Sequence, residues 1–400
     1  MEIGNNIKET GAIDKLPIAF VLGSGKCGGL LLMQILDWHE EVLILPNSIK
    51  FYGTWQKIKH KGITSPQEIA DLVLTETDLS MFKYNTVLNR DGIQVDFSNI
   101  NWNIFEAKFR EYLNGHEISA SSTYLGVFYA YACATKKNLK KVKVIIAYAL
   151  YKDYMGNIMR DFPKAQFIYL MRDPRGHIFS FKTYFLTMRG SLIHLGNGSM
   201  RKKSLFVHII KDKMVDNLKM IHDNKRLVLN GKLKIVKFED IKMFPRKTIE
   251  QLCDWLGIKF NDSLLTLTTA GVPSSGGYSG FSNQLVVGFA QEPVHRWKSH
   301  MPKREIRMVE YLFCRDLSTN GYQLIYKEKN TFSKIINIIC CLLPWKGEIF
   351  YMGYRKLSSH NKTELFLKRY IKPLIILPAN IIMFIISRII FSRLLLKGEL

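Results

Sequence analysis

Apolar residues gather into short runs separated by glycine-rich or polar breaks, and the spacing within each run assigns it to a strand or a helix. Ile18 to Leu22 is uninterrupted and apolar, a break with Gly23, Gly25, Gly28 and Gly29 follows, and Leu30, Leu31, Leu32, Ile35 and Leu36 then return at helical spacing. This order predicts a buried strand, a tight turn and a helix. A second apolar run, Val42 to Leu45, stops at Pro46-Asn47-Ser48. Gln166 to Met171 reads as another strand; Arg172-Asp173-Pro174 turns the chain, and Ile178, Phe179 and Phe181 begin a helix that contains Ser180. Lys234 to Ile241 carries Glu239 and Asp240 in a turn, and Thr248 to Gly257 follows as an amphipathic helix with a glycine stop.

The first break has the chemistry of an anion site. Glycines let the backbone approach a ligand, and the free N–H groups and dipole of the helix that follows favour a phosphate. Lys26 adds a mobile positive charge. A Walker A loop requires a glycine where Phe20 stands and a Ser or Thr where Cys27 stands, so that reading fails. Gly23, Gly25 and Gly28 satisfy the dinucleotide fingerprint, yet Val42 to Leu45 leads to Pro46-Asn47-Ser48 rather than to an acidic residue. The glycines alone keep that reading open. At the second turn, an arginine ending a strand and a serine two helical turns later can converge on one phosphate; a buried Arg172–Asp173 turn with a surface serine is the alternative.

Gly23-Ser24-Gly25-Lys26-Cys27-Gly28-Gly29-Leu30 with Asp37-Trp38-His39-Glu40-Glu41, and Phe162-Pro163 through Met171-Arg172-Asp173-Pro174 to Ser180, together resemble the sulfotransferases that use 3′-phosphoadenosine 5′-phosphosulfate. The resemblance extends from Pro17 to Tyr322. It implies that Ser24, Gly25, Lys26, Cys27, Gly28, Gly29 and Leu30 bind the 5′-phosphosulfate, and that Arg172 and Ser180 bind the 3′-phosphate. Arg296, beside Trp297, resembles the family segment that closes over the cofactor before a last helix, here Lys303 to Leu317. Lys26 is then the catalytic candidate, placed to offset charge on the leaving phosphate, because positioning and charge stabilisation dominate transfer from an activated donor. A purely phosphate-binding lysine is the alternative.

The chain departs from the family pattern at three places. Gly29 and Leu30 stand where the family has two threonines. Ser48 stands where many members have a glutamate, within Pro46-Asn47-Ser48-Ile49-Lys50-Phe51-Tyr52, and a serine cannot act unassisted as a base at neutral pH. Ile145-Ile146-Ala147-Tyr148-Ala149-Leu150-Tyr151 replaces a Glu-Lys-Thr-Pro segment, with the loss of its polar contacts. His39 and Glu40 face away from the reaction in the family pattern, His177 reads as an ordinary, partly exposed histidine, and Lys50 is a remote candidate for the base. The polar, glycine-rich Ser274 to Asn283 is either a lid or a long connection.

The 400 residues include 57 Lys and Arg against 34 Asp and Glu, a net charge of +23 that suits a bisphosphorylated nucleotide, an anionic glycan or an acidic membrane surface. Nucleic acid is not expected as a partner, because no recognised binding motif is present. The six cysteines have no Cys-x-x-Cys or zinc-ligand spacing, so no metal is expected and a reducing compartment is the simpler reading. The first ten residues lack a basic and then apolar leader pattern, which leaves the sequons at Asn197, Asn261 and Asn361 little weight.

Two apolar runs close the chain, Ile335 to Trp345 and Pro373 to Leu396, the second interrupted by Pro378, Arg388 and Arg393 and flanked by Lys368, Arg369, Lys372 and Lys397. Neither gives the about 20 uninterrupted apolar residues of a spanning helix. A shallow membrane anchor through residues 335–396 is the favoured reading, with a tilted span and a helix packed on its own domain as alternatives. The expectation is therefore an α/β fold, a P-loop-like doubly wound parallel sheet flanked by helices over residues 1–328, with a basic, apolar helical tail over 329–400. The expected activity is sulfuryl transfer to a hydroxyl or amine of a carbohydrate or glycolipid, on the cytoplasmic side of a membrane. The acceptor would be bound by residues within 51–131 and 182–225. A degenerate, membrane-associated nucleotide-binding or scaffold protein of the same fold is the other reading, and a kinase or dehydrogenase the remaining one.

Overall fold

Strand β1 (Ile18–Leu22) is buried along its whole length, and its unbroken apolar sequence is what a parallel strand covered on both faces requires. The computed structural model describes residues 11–88, 94–149, 155–188, 208–274, 288–326, 330–343, 385 and 389. β2 (Val42–Ile44) follows, and β3 (Thr86–Leu88) and β4 (Gln94–Asp96) form a separate antiparallel pair. With β5 (Val144–Tyr148), β6 (Gln166–Met171) and β7 (Leu233–Lys237), strands β1 and β2 build a five-stranded parallel sheet in the order β2-β5-β1-β6-β7. From β1 the chain moves on to β2 on one side of the sheet, and from β6 to β7 on the other. Such a reversal between neighbouring strands marks where open α/β sheets bind ligands, at the strands' carboxyl ends. The expected doubly wound α/β fold flanked by helices is the fold observed.

Helix α1 (Gly29–Leu36) is buried except at Leu30. The segment after β2 enters α2 (Phe51–His60), whose Phe51 ring lies 4.7 Å from Tyr124 on α3 (Ala120–Ala134). Phe20 of β1 stacks on the same Tyr124 at 5.9 Å. These aromatics fix the start of α2 against the central strand. After β7, α4 (Phe238–Met243) and α5 (Pro245–Leu256) follow, the latter ended by Gly257 as its spacing predicts.

The chain divides into two compact units, one comprising 1–171, 224–278 and 285–290, the other 172–223, 279–284 and 291–400. The first holds the sheet. The second contains α6 (Pro174–Met188), α7 (Glu292–His300), α8 (Lys303–Leu312) and α9 (Thr331–Leu342). Its core includes Ile178, Phe181, Trp297, Val309, Leu317 and Cys341. The helix expected over Lys303 to Leu317 is broken at Phe313, where the backbone turns to φ −117° and ψ 24°.

The first apolar run of the tail is helical, as α9, and opens with a capping box between Asn330 and Ser333. It buries Asn337 and Cys341 while Phe332, Ile335 and Ile339 remain exposed. Among the described residues no helix is long and apolar enough to cross a membrane. Apart from Ile385 and Ile389, the run from Pro373 to Leu396 lies outside the described residues, as do 275–283 of the glycine-rich loop, Leu150 and Tyr151, and the sequons at Asn197 and Asn361.

Candidate functional site

The loop between β1 and α1 has a tightly constrained backbone. Lys26 has φ 67° and Gly28, the N-cap of α1, has φ 95°. No side chain caps the helix through Gly28, so its first N–H groups are not satisfied in that way. A Cβ on Gly28 would lie 2.7 Å from Cδ2 of Phe238 at the start of α4, so this position excludes any side chain on two grounds. A Cβ on Gly29 would fall onto the phenol of Tyr148, the last residue of β5, with the hydroxyl oxygen as its nearest neighbour. Ser24 is only 4% exposed, and its hydroxyl has no hydrogen-bond partner. Cys27 is buried, Gly25 and Lys26 half-buried, and Leu30 exposed.

These features fit an anion. A buried hydroxyl without a partner is costly unless something bonds it, and an uncapped helix start next to a lysine offers further donors to the same kind of group. Six of the predicted residues, Ser24 to Gly29, thus lie in one loop and the first residue of its helix, and Leu30 follows on the helix surface.

The second unit contains the other predicted residues. Arg172 immediately follows β6, and its Nη2 donates to the carbonyl of Pro293 at 3.0 Å. That contact ties the turn to α7, the helix that carries Arg296. Arg296 pairs with Glu292 one turn earlier, so the residue expected to close over a cofactor has an acidic partner on its own helix. Ser180 is half-buried on α6. Asp173 and Arg175 have a structural role: Arg175 bonds Asp173 at 2.8 Å, Glu310 at 2.5 Å and the carbonyl of Gln323 at 2.8 Å, and its guanidinium lies 4.2 Å from the Trp297 ring centroid. His177 is 3% exposed and packs on Phe181 at 5.0 Å, which corrects the expectation of a partly exposed histidine. Its neighbours on α6 are core residues, and the ring is drawn in with them.

The segment after α1 is held by structure rather than left open for chemistry. Asp37 accepts from the Thr268 hydroxyl and the Gly271 amide, both at 2.8 Å, and burial is the main cause of its raised pKa. Lys137 donates to the His39 carbonyl at 2.5 Å, and burial lowers its pKa to about 8. Burial likewise lowers that of His39. Glu40 pairs with Lys141 at 2.9 Å and Glu41 with Lys143 at 2.8 Å. Ser48 is buried, with its amide bonded to the Asn47 side chain at 2.9 Å. Lys50 pairs with Asp78 at 3.0 Å.

The sequence reading counted Tyr148 only among lost polar contacts; its meeting with Gly29 is a contact between distant segments that no local sequence signal announces. Among the described residues no group of three or more His, Cys, Asp or Glu side chains could hold a metal ion, and no two cysteines are joined in a disulfide.

Among solved structures the chain is similar to the sulfotransferase domain of the Synechococcus olefin synthase, with 16% identity, a TM-score of 0.46 and coverage of 77% of this chain and 95% of that one. It is also similar to a sulfotransferase from Alicyclobacillus acidocaldarius at 12% identity, TM-score 0.39, covering 77% and 97%. A mouse sulfotransferase complexed with PAP matches at 11% identity and TM-score 0.37, covering 82% and 92%. No curated protein matches the chain. A sequence model of the sulfotransferase family, however, matches residues 17–262, more than half of the chain. That span includes β1, the loop that leads into α1 and all the other strands of the central sheet, and on it the protein belongs to the sulfotransferase family.

Proposed function

We propose that the protein transfers a sulfuryl group from 3′-phosphoadenosine 5′-phosphosulfate to a hydroxyl or amine of a carbohydrate or glycolipid. The observation that carries this reading is the β1–α1 loop: an uncapped helix start, a partnerless buried Ser24 hydroxyl and Lys26 at φ 67°. The loop would hold the 5′-phosphosulfate through Ser24, Gly25, Lys26, Cys27, Gly28 and Gly29, with Leu30 beside it. Arg172 and Ser180 would hold the 3′-phosphate, and Arg296 would close over the nucleotide. Those last three assignments rest on the family motif.

The donor, when bound, supplies a sulfur whose bond to the 5′-phosphate oxygen breaks as a bond to the acceptor oxygen or nitrogen forms. The Lys26 ammonium and the first N–H groups of α1 offset charge at the 5′-phosphate, an electrostatic contribution that acts where charge develops. Ser48 orients or fills space rather than taking the acceptor's proton. Asp37, Glu40 and Glu41 are tied to structural partners, the His39 ring accepts from the Glu41 amide through Nδ1, and none of the four is assigned the proton.

The acceptor class draws on the net charge of +23 and on the basic, apolar sequence of residues 335–396, which we assign to a membrane surface. The cytoplasmic side belongs to the same reading and draws on six cysteines whose spacing fits neither a Cys-x-x-Cys motif nor a zinc site. Ser48 favours the second reading, a nucleotide-binding member without turnover. Incubation with sulfur-labelled donor and a panel of glycolipids and oligosaccharides separates the two. Label transferred by the wild type and not by Lys26→Ala supports the enzyme, whereas donor binding with no transfer to any acceptor favours the second reading.

A further inference from the structure

Two positions far apart in sequence meet at the start of α1. Gly29 is the first residue of that helix, and a Cβ built on it would meet the hydroxyl oxygen, Cζ and Cε2 of Tyr148, the last at 2.7 Å. The phenol therefore occupies the space in which a side chain at position 29 would begin. Tyr148 is brought there by the sheet: it is in register with Val21 of β1, and the amide of Ala149 donates to the Val21 carbonyl at 2.9 Å. Its backbone thus ends β5 alongside the end of β1, where the loop begins. The residue is half-buried.

A phenol body with a polar tip buries the ring and directs the hydroxyl toward a polar partner. At this place the surroundings are suited to an anion for a reason independent of the tyrosine. Ser24 in the same loop is 96% buried on a relative exposure of 4%, and its hydroxyl has no partner. We propose that the Tyr148 hydroxyl is a donor-binding group that bonds the 5′-phosphate of the sulfuryl donor, and that Gly29 is retained to make room for it. The proposal rests on the sulfuryl-transfer reading above. It joins two departures from the family pattern, the loss of a threonine at position 29 and the tyrosine at 148: the hydroxyl that the helix no longer carries is delivered from the neighbouring strand. It also specifies the chemistry of the ligand, an oxyanion at the helix start that accepts from a neutral hydroxyl.

The test is calorimetric titration of the full chain with 3′-phosphoadenosine 5′-phosphate, with melting curves to confirm folding. Tyr148→Phe removes the hydroxyl and little else, and the affinity should fall about ten-fold or more, as expected for a hydrogen bond to a charged group. Two double variants isolate the hydroxyl if the phenylalanine variant folds poorly. Tyr148→Ala with Gly29→Thr returns a hydroxyl from the helix side and should bind within about three-fold of wild type, whereas Tyr148→Ala with Gly29→Val fills the same space without one and should stay weak. Wild-type affinity in Tyr148→Phe, or equal affinities in the two double variants, overturns the role of Tyr148 while leaving the donor reading intact. Failure of folded wild type to bind removes the donor reading, and this inference with it.

Discussion

Lys26 has its backbone at φ 67°, a region where an L side chain costs roughly 1–2 kcal/mol and glycine sits without penalty. Strain of this kind persists where the surrounding structure enforces it, and such positions cluster at ligand sites. Comparing Lys26→Gly with Lys26→Ala separates backbone strain from charge. Both remove the ammonium and its repulsion from the positive end of α1, so that effect cancels between them. Alanine keeps the strain and glycine relieves it. Against this relief, glycine gives the unfolded chain more freedom, an offset of about 0.4–1 kcal/mol. The net expectation, at the middle of these two ranges, is that Lys26→Gly is more stable than Lys26→Ala by about 0.8 kcal/mol. With a urea slope of roughly 2–3 kcal/mol per molar, the unfolding midpoints should differ by about 0.2–0.5 M. Both variants should lose binding of 3′-phosphoadenosine 5′-phosphate to the same degree. A less stable glycine variant would refute the strain argument, and wild-type nucleotide affinity in either would refute the role of the ammonium.

Two further perturbations test the scaffold around the candidate site. Arg175→Met leaves Asp173 and Glu310 as buried carboxylates without their shared guanidinium, and should cost about 3–5 kcal/mol in urea unfolding; a loss under about 1 kcal/mol would contradict the network's structural role. Lys137 has its pKa lowered by burial to about 8 from 10.5, so the unfolded chain binds more protons than the folded one between those values. Its contribution to stability is fully present above 10.5 and is lost as pH falls through about 8. The stability of wild type relative to Lys137→Met should therefore rise between pH 8 and 10, and a flat difference would count against the burial of that ammonium.

Local patterning made much of the first unit legible. The bounds of β1 follow from an uninterrupted apolar run and the course of β6 from the apolar residues after Gln166, because strands covered on both faces are almost wholly apolar, and the helix stop at Gly257 follows from glycine's tolerance of the backbone conformation that ends a helix. The loop at Ser24–Gly29 was legible for a similar reason, since glycine spacing and a lysine are local signals. What escaped depends on contacts between distant segments. Tyr148 meets Gly29 only because β5 pairs with β1, and the sequence around 148 carries no sign of that neighbour. The bonding of Arg175 to Glu310 likewise arises from packing of helices more than 100 residues apart. The apolar run at Ile335 gave the presence of a helix, but not that Asn337 and Cys341 would be its buried residues.

The most direct test of the central claim is calorimetric titration of the purified wild-type chain with 3′-phosphoadenosine 5′-phosphate, beside Lys26→Ala, Arg172→Ala and an AMP control. The account predicts tight binding to wild type, loss of binding in both variants and none for AMP. No binding to wild type of confirmed fold would contradict it.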